Sequence, residues 1–215
     1  MESYEFDRTP LATSRVNPDG GSSEFAGRPI IGHDTRIDGG VYIGSSAREA
    51  IVVDFFKDSV LSNLYDKVKL AVTDSSGKVN KDYVLNNVYK AVQSAMATDM
   101  QGVADLISER GYGQDKKVTL GVFIKAGIGL CRHQNLAGAA LLERFIDEGI
   151  LSGKVSIDRN TSNEGGHAWC RYTNSQGKVY ILDVTRNYIG DMNSSESWDY
   201  RRPEEKGSGY DYTAT

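Results

Sequence analysis

Hydrophobic residues in the middle of the chain recur at intervals of three and four positions, which is the period of an amphipathic helix. A capping-box pattern at Ser46–Glu49 precedes the first such stretch, and Gly111 and Gly149 stand where two others end. The segment 118–126 fits a helix or a strand equally well on its periodicity alone. The predicted helices span about 51–70, 81–96, 103–110 and 131–148.

Three strand-like stretches follow the last predicted helix, and the loop residues 173–177 indicate that the second and third form a hairpin. Helices followed by an antiparallel sheet indicate an α+β fold, with a helical N-terminal layer packed on the sheet. The predicted strands span 154–158, 166–172 and 178–184.

The two ends of the chain differ in composition from this central part. Residues 1–45 contain many Gly and Pro, and we predict an N-terminal arm that contributes little to the main core. Residues 194–215 are mostly polar and are predicted to form a C-terminal tail, although their Tyr and Trp side chains could dock on the body. The folded domain is therefore expected to span residues 46–193.

Composition narrows the class of protein. Among 215 residues there are 25 Lys and Arg against 29 Asp and Glu, a formal net charge of −4, which removes the electrostatic argument for a nucleic-acid binder. No apolar run reaches the ~18 residues of a membrane span. The first residues lack the basic-then-apolar pattern of a secretory signal, and two cysteines suit a reducing compartment. We expect a cytoplasmic protein, or one exported without a cleavable signal peptide, that binds neither nucleic acid nor membrane.

Cys131 is the first candidate for chemistry, because it follows the Gly-rich segment 126–130 and begins the last predicted helix. Unpaired backbone N–H groups and the positive end of the helix dipole stabilise a thiolate at such a position. The alternative is that Cys131 is a small buried hydrophobic residue, as many cysteines are.

The predicted hairpin brings a histidine and a carboxylate together. If 173–177 form a five-residue loop, Tyr172 pairs with Lys178, and His167 lies directly opposite Asp183 on the same face. An aspartate beside a histidine orients the imidazole for general-base catalysis.

The same register separates the two cysteines. Cys170 lies three residues after His167, so we expect it on the opposite face, as a core thiol across from Tyr180. Trp169 shares the face of His167, across from Ile181, and either lines a substrate groove or fills the core.

A zinc site is an alternative use of the pairs Cys131–His133 and His167–Cys170, because Cys and His are zinc ligands. Helix residues two apart point roughly 200° apart, and His167 and Cys170 point to opposite faces of their strand. Neither pair suits a tetrahedral centre, so we predict no metal and no cofactor, and we expect a structural role for His133. A Cys131–Cys170 disulfide would fit an extracellular protein.

Three sequence blocks, GIGLCRHQNLAGAALLERF, GGHAW and VYILDVT, resemble the transglutaminase-like superfamily of papain-type thiol enzymes. The similarity extends over about residues 118–188. It implies that Cys131 is the nucleophile, His167 the base and Asp183 the orienting acid. The backbone N–H of Cys131 is expected in the oxyanion hole, and Gln114 is the upstream glutamine considered as its second donor.

The expected reaction is acyl transfer through a thioester on a protein or peptide substrate. Hydrolysis of a peptide or side-chain amide, as in a cysteine protease or amidase, is the first expectation. Crosslinking or deamidation of a protein glutamine is the second, and a non-catalytic binding module that retains the fold is the third. The presence of all three triad residues favours an enzyme.

Overall fold

A computed structural model describes residues 24–43, 48–162, 165–196 and 198–206. The start of the predicted capping box at Ser46, the first 23 residues of the predicted arm and residues 207–215 of the predicted tail lie outside the described residues. The described chain contains helices and several sheets, so the α+β class is confirmed. Within these ranges, no helix combines the length and the apolar character that crossing a membrane requires.

Two of the helices in the described chain show clear capping residues. Asp58 accepts a hydrogen bond from the backbone N–H of Leu61 at the start of the first helix. Gly111, with a φ of 64°, ends the third helix. The α-helices are α1 (Ser59–Ala71), α2 (Val84–Ala95), α3 (Met100–Arg110), α4 (Leu120–Ala126) and α5 (Cys131–Asp147).

The strands in the same ranges form one larger antiparallel sheet and three small ones. The strands are β1 (Glu24–Phe25), β2 (Arg28–Pro29), β3 (Val41–Ile43), β4 (Ala50–Val52), β5 (Ala97–Thr98), β6 (Lys117–Thr119), β7 (Ile128–Gly129), β8 (Gly153–Ser162), β9 (Gly165–Asn174), β10 (Val179–Asp183) and β11 (Tyr188–Asp191). The larger sheet has the order β11-β10-β9-β8, and a three-stranded sheet has the order β3-β4-β6, in which β4 and β6 are parallel. β5 pairs with β7, and β1 pairs with β2.

Most of the predicted helices are confirmed. The second consists of a 3-10 turn at Lys81–Tyr83 followed by α2, and the third and the last correspond to α3 and α5. The ambiguous segment 118–126 contains parts of both kinds of element, the end of β6 and all of α4.

The first predicted helix is wrong over its first half. Residues 50–52 form β4, which is buried between β3 and β6, and the helix begins only at Ser59. A central strand is apolar at every position, so its sequence has no period that separates it from a buried helix. Glu49, expected to close the capping box, is itself buried.

The described part of the predicted N-terminal arm belongs to the main core, so the expectation that it contributes little is wrong. Ile31, Ile37 and Tyr42 are buried in the main hydrophobic cluster. Glu143 of α5 accepts the backbone N–H of Ile37. A Cβ on Gly40 would lie 2.6 Å from the side chain of Ile31, so the small residue allows close packing here.

The hairpin between β9 and β10 is present, but its register differs by two residues from the prediction. Tyr172 pairs with Tyr180 instead of Lys178. The loop is shorter than predicted, because the backbone N–H of Asn174 bonds the carbonyl of Lys178 at 2.9 Å. A shift of two keeps every side chain on its predicted face, whereas a shift of one would have reversed them all.

The two faces of the larger sheet contact different parts of the chain. Ala168, Cys170 and Tyr172 of β9 lie in the main cluster, which also contains the buried side chains of α5. On the opposite face, Trp169 packs in a separate small cluster with Tyr200. The beginning of α5 thus lies against one face of β9.

Candidate active site

The N-terminus of α5 is fixed by the two elements before it. α4 ends at Gly127, which has a left-handed φ of 73°, and β7 then pairs with β5. A Cβ on Gly129 would lie 3.2 Å from both His133 Cβ and Met96 Sδ, so glycine allows this close approach. Cys131 is the first residue of α5, as predicted, and its backbone N–H has no acceptor within the helix.

His167 and Asp183 lie on adjacent strands and contact each other, as predicted. His167 Nε2 is 2.5 Å from Asp183 Oδ2, and both side chains are buried. The register shift makes this a diagonal pair, which an imidazole can still span. Because the carboxylate engages Nε2, Nδ1 is the ring nitrogen that can face another partner.

Cys131 is that partner. Its thiol hydrogen-bonds with His167 and with the backbone N–H of Ala168. Burial raises the pKa of the thiol, but these hydrogen bonds and the charges of His167 and Arg132 outweigh it and lower the pKa overall. Burial lowers the pKa of His167, whereas Asp183 and Cys131 oppose that effect and raise it to about 9. Both shifts favour transfer of the thiol proton to the imidazole, which gives a thiolate beside an imidazolium.

Asn135, which the sequence analysis did not single out, connects the helix to both strands. Its Nδ2 donates to the carbonyl of Ala168 at 2.7 Å and to Asp183 Oδ1 at 3.3 Å. Its Oδ1 accepts the backbone N–H of Val184 at 3.0 Å. This buried amide fixes the helix relative to the His and the Asp. In the sequence, Asn135 could have been found by its position four residues after Cys131, because residues i and i+4 lie on the same side of a helix.

Part of the predicted C-terminal tail is built into the site. Tyr200 is buried and donates its O–H to Asp183 Oδ2 at 2.9 Å, the oxygen that also contacts His167. The ring of Trp198 meets the ring of His167 edge-on at 5.1 Å, and the Arg186 guanidinium lies 3.8 Å from the Trp198 centroid. Residues 198–206 thus belong to the folded domain. The feature of the sequence that indicates this is the presence of aromatic residues in an otherwise polar stretch.

Arg202 fastens this segment to the sheet. Its guanidinium bonds both carboxylate oxygens of Asp158, at 2.7 and 2.8 Å, and also Asp34 at 2.9 Å. Arg171 of β9 pairs with Glu205 in the same segment. Because Asp158 is only 1% exposed, its charge depends on these partners.

Trp169, the predicted groove candidate, fills a core instead. Its side chain is 2% exposed, and its ring meets that of Tyr200 edge-on at 5.3 Å. Its predicted strand partner Ile181 pairs with Arg171. The buried position leaves no surface on which Trp169 could contact a substrate.

Gln114, considered as an oxyanion-hole donor, is not brought to Cys131. It lies exposed in the turn between α3 and β6, with a left-handed φ of 60°. Gln134 lies nearer in the fold, but it is occupied, because its Nε2 donates to the carbonyl of Met96 and its Oε1 accepts from Thr185. The backbone N–H of Cys131, at the first position of α5, has no acceptor within the helix and stays the candidate donor.

A buried cluster anchors the first turn of α5. Glu49 Oε1 accepts from Arg132 Nε at 2.5 Å and from His133 Nε2 at 2.9 Å, and His133 Nδ1 accepts the backbone N–H of Leu130. Burial lowers the pKa of His133 to about 4, although Glu49 opposes the shift. The ring is therefore neutral at pH 7, and these contacts fit the expected structural role of His133.

Both cysteines are free thiols. Cys170 is buried in the core, as predicted, and burial raises its pKa, but it pairs with Leu182 instead of Tyr180. In the part of the chain that the structure describes, no group of three or more His, Cys, Asp and Glu side chains could hold a metal ion.

The assembled site contains the groups that nucleophilic acyl transfer requires. A thiol with a lowered pKa contacts an imidazole, a buried carboxylate contacts that imidazole, and the backbone N–H of the first helical residue has no acceptor within the helix. Comparisons of this chain with known protein families, with curated proteins and with solved structures find no match.

Proposed function

We propose that this protein is a thiol-dependent hydrolase of the transglutaminase-like type, which cleaves an amide bond in a protein or peptide substrate. The observation that carries the proposal is the chain of contacts from Cys131 to His167 to Asp183, with the thiol pKa lowered by its partners. The three sequence blocks that resemble the superfamily support the same roles for the same residues.

The geometry supports a two-step reaction. His167 Nδ1 takes the proton of Cys131, and the thiolate attacks the amide carbonyl. The backbone N–H of Cys131 donates to the oxyanion, and His167 then protonates the leaving amine as the thioester forms. In the second step His167 takes a proton from water, the hydroxide attacks the thioester, and the carboxylic acid and the free thiol are released.

Acylation by p-nitrophenyl acetate tests the proposal without knowledge of the natural substrate. The wild-type protein should release a burst of p-nitrophenol, because the acetyl thioester forms faster than it is hydrolysed. Peptide mass spectrometry should locate the acetyl group on Cys131. Adding a primary amine reports whether the thioester also passes to an amine, which is the crosslinking outcome.

Two substitutions serve as matched controls. Cys131→Ala should abolish the burst, whereas Cys170→Ala should retain it, since Cys170 is fully buried in the core. A burst that survives in Cys131→Ala, or acetylation spread equally over both cysteines of the native protein, would refute the assignment of the nucleophile.

A further inference from the structure

Arg159 lies on the side of β8 that faces the nucleophile. Side chains alternate along a strand, so Arg159 continues the face of Val155 and Ile157, which are buried in the main cluster. Arg159 itself is exposed, two residues beyond Ile157 towards the end of the strand. The core-facing row of β8 therefore ends in a charged side chain at the surface.

The strand register brings this end of β8 next to Cys131. Arg159 pairs directly with Ala168 of β9, and the backbone N–H of Ala168 is a hydrogen-bond partner of the Cys131 thiol. Directly paired residues of an antiparallel sheet have Cα atoms roughly 4.5–5.5 Å apart. The backbone of Arg159 is thus one strand away from the Ala168 N–H that contacts the Cys131 sulfur.

Contacts with β3 hold the guanidinium without neutralising it. Arg159 NH1 donates to the carbonyl of Ile43 at 3.1 Å, and the guanidinium lies 5.8 Å from the centroid of the Tyr42 ring. Among the described residues, no carboxylate lies within ion-pair distance of Arg159, in contrast to Arg132 and Arg202, which are both paired.

Tyr42 connects this arginine with the nucleophile. Burial raises the pKa of its phenol, the charge of Arg159 lowers it, and the charge of Cys131 raises it again. The phenol therefore lies within the electrostatic reach of both groups, and it stays protonated at neutral pH. Tyr42 is only 5% exposed, so its ring supports the guanidinium from the core side, and the exposed Arg159 is the cation that an anionic group can reach.

We propose that Arg159, held in place by Tyr42, forms an anion subsite beside Cys131, and that the substrate carries a carboxylate close to the amide that reacts. This inference rests on the proposed function and names its substrate class. Arg159 supplies the charge that attracts the carboxylate, and its contact with Tyr42 keeps the guanidinium in place. A neutral or basic group at the same point of a substrate gains nothing from this charge.

Iodoacetate and iodoacetamide test the subsite, because they alkylate a thiolate by the same displacement and differ by one carboxylate. The quantity to measure is the ratio of the iodoacetate rate to the iodoacetamide rate at Cys131, followed by peptide mass spectrometry. Arg159→Gln should lower this ratio about three- to tenfold, whereas the iodoacetamide rate should change less than about twofold. Arg159→Lys should keep most of the ratio, and added salt should reduce it in the wild type.

Lys154→Gln is the matched control, because it removes the same charge from the other end of β8. It should leave the ratio unchanged, and protection of Cys170 from both reagents verifies that each variant is folded. Rapid alkylation with an equal ratio in wild type and Arg159→Gln would overturn the subsite alone. Slow iodoacetamide labelling of wild-type Cys131 would overturn the proposed function, and the subsite with it.

Discussion

At the scale of single residues, Asp183 has more bonding partners than an orienting carboxylate needs. Oδ2 accepts from His167 and Tyr200, and Oδ1 accepts from Asn135 and from the backbone N–H of Arg186. A buried carboxylate with four donors has one orientation, and so does the imidazole that it holds. We therefore expect Tyr200 to be a positioning residue that acts through Asp183.

Tyr200→Phe tests this role, because it removes the O–H and keeps the ring. We expect the acylation rate with p-nitrophenyl acetate to fall by up to about tenfold, and the free energy of unfolding to fall by about 1 kcal/mol. Tyr188→Phe is the control, since that O–H bonds the carbonyl of Asp191 and does not contact Asp183. Equal loss of rate in both variants would indicate a general packing effect.

The thiol–imidazole pair predicts the pH dependence of labelling. The pKa of Cys131 is lowered and that of His167 is raised to about 9, so both shifts favour a thiolate–imidazolium ion pair below about pH 9. At about pH 6, iodoacetamide should alkylate Cys131 rapidly, whereas an ordinary thiol of pKa ~8.5 is almost fully protonated. Acylation should decline as the pH rises through about 9, where His167 loses its proton.

Variants of the partners separate their contributions. His167→Ala should slow the labelling of Cys131 at about pH 6, because the cation is lost, and Asp183→Ala should slow it less. Peptide mass spectrometry against time and pH gives each rate. Slow and equal labelling of Cys131 and Cys170 in the native protein would instead support a binding module with two inert thiols.

At the scale of elements, the sequence predicts a helix or a strand correctly where only one face of it is buried. Burial of one face gives the apolar residues a regular spacing, which can be recognised in the sequence. α2 shows this, and so does the shared face of His167 and Asp183. α5 is buried on all sides over residues 132–142, and the sequence indicates it by the Gly-rich segment before Cys131 and by Gly149 after it. β4 has no such pattern, because it is buried in the middle of its sheet. The exact register depends on a short loop closed between Asn174 and Lys178, which composition does not reveal.

The site residues that the sequence missed contribute through long-range contacts. Asn135 and Tyr200 are polar or aromatic residues without a motif of their own, and their roles depend on where β9 and β10 lie in the fold. Trp169 belongs to a motif block, but the packing of the C-terminal segment buries it. Motif and spacing therefore indicate the candidate reacting groups, whereas the residues that contact and hold these groups depend on tertiary packing.

The anchor of α5 predicts a stability change in mild acid. His133 has a pKa of about 4 in the folded protein, below the ~6.5 of an exposed histidine, so the unfolded chain binds more protons between these values. The free energy of unfolding should therefore fall as the pH falls from about 6.5 to about 4. The contribution of this one group is on the order of 3 kcal/mol.

Urea unfolding across this pH range measures the effect, and NMR titration of the His133 ring measures its cause. His133→Gln should flatten the slope, because the titrating group is gone. A ring that titrates near pH 6.5 in the folded protein would contradict the neutral, buried His133 that the contacts with Glu49 and Leu130 indicate.

At the scale of the whole molecule, distant parts of the chain meet on the outer face of the larger sheet. Arg202 joins Asp158 of β8 to Asp34, a residue of the predicted arm, and the segment that carries Arg202 also carries Tyr200. The two segments expected to be accessory are thus linked to each other and to the triad.

Arg202→Ala tests this link. It leaves the buried carboxylate of Asp158 without its bidentate partner, and we expect a loss of about 3 kcal/mol in the free energy of unfolding together with slower acylation. Lys154→Ala, which removes an exposed partner of Asp34, should change the stability by less than about 1 kcal/mol. Unchanged acylation in a folded Arg202→Ala protein would show that the segment does not support the triad.

The different surroundings of the two free cysteines, one half-buried and one buried, also make it possible to follow the folding reaction. In an unfolded chain both thiols have the reactivity of a free cysteine, and folding changes them in opposite directions. Cys131 becomes more reactive only when His167 and Asp183 have assembled around it, whereas Cys170 becomes protected once the core has closed. Brief alkylation pulses during refolding would therefore time two events in one unlabelled molecule, the closure of the core and the assembly of the site.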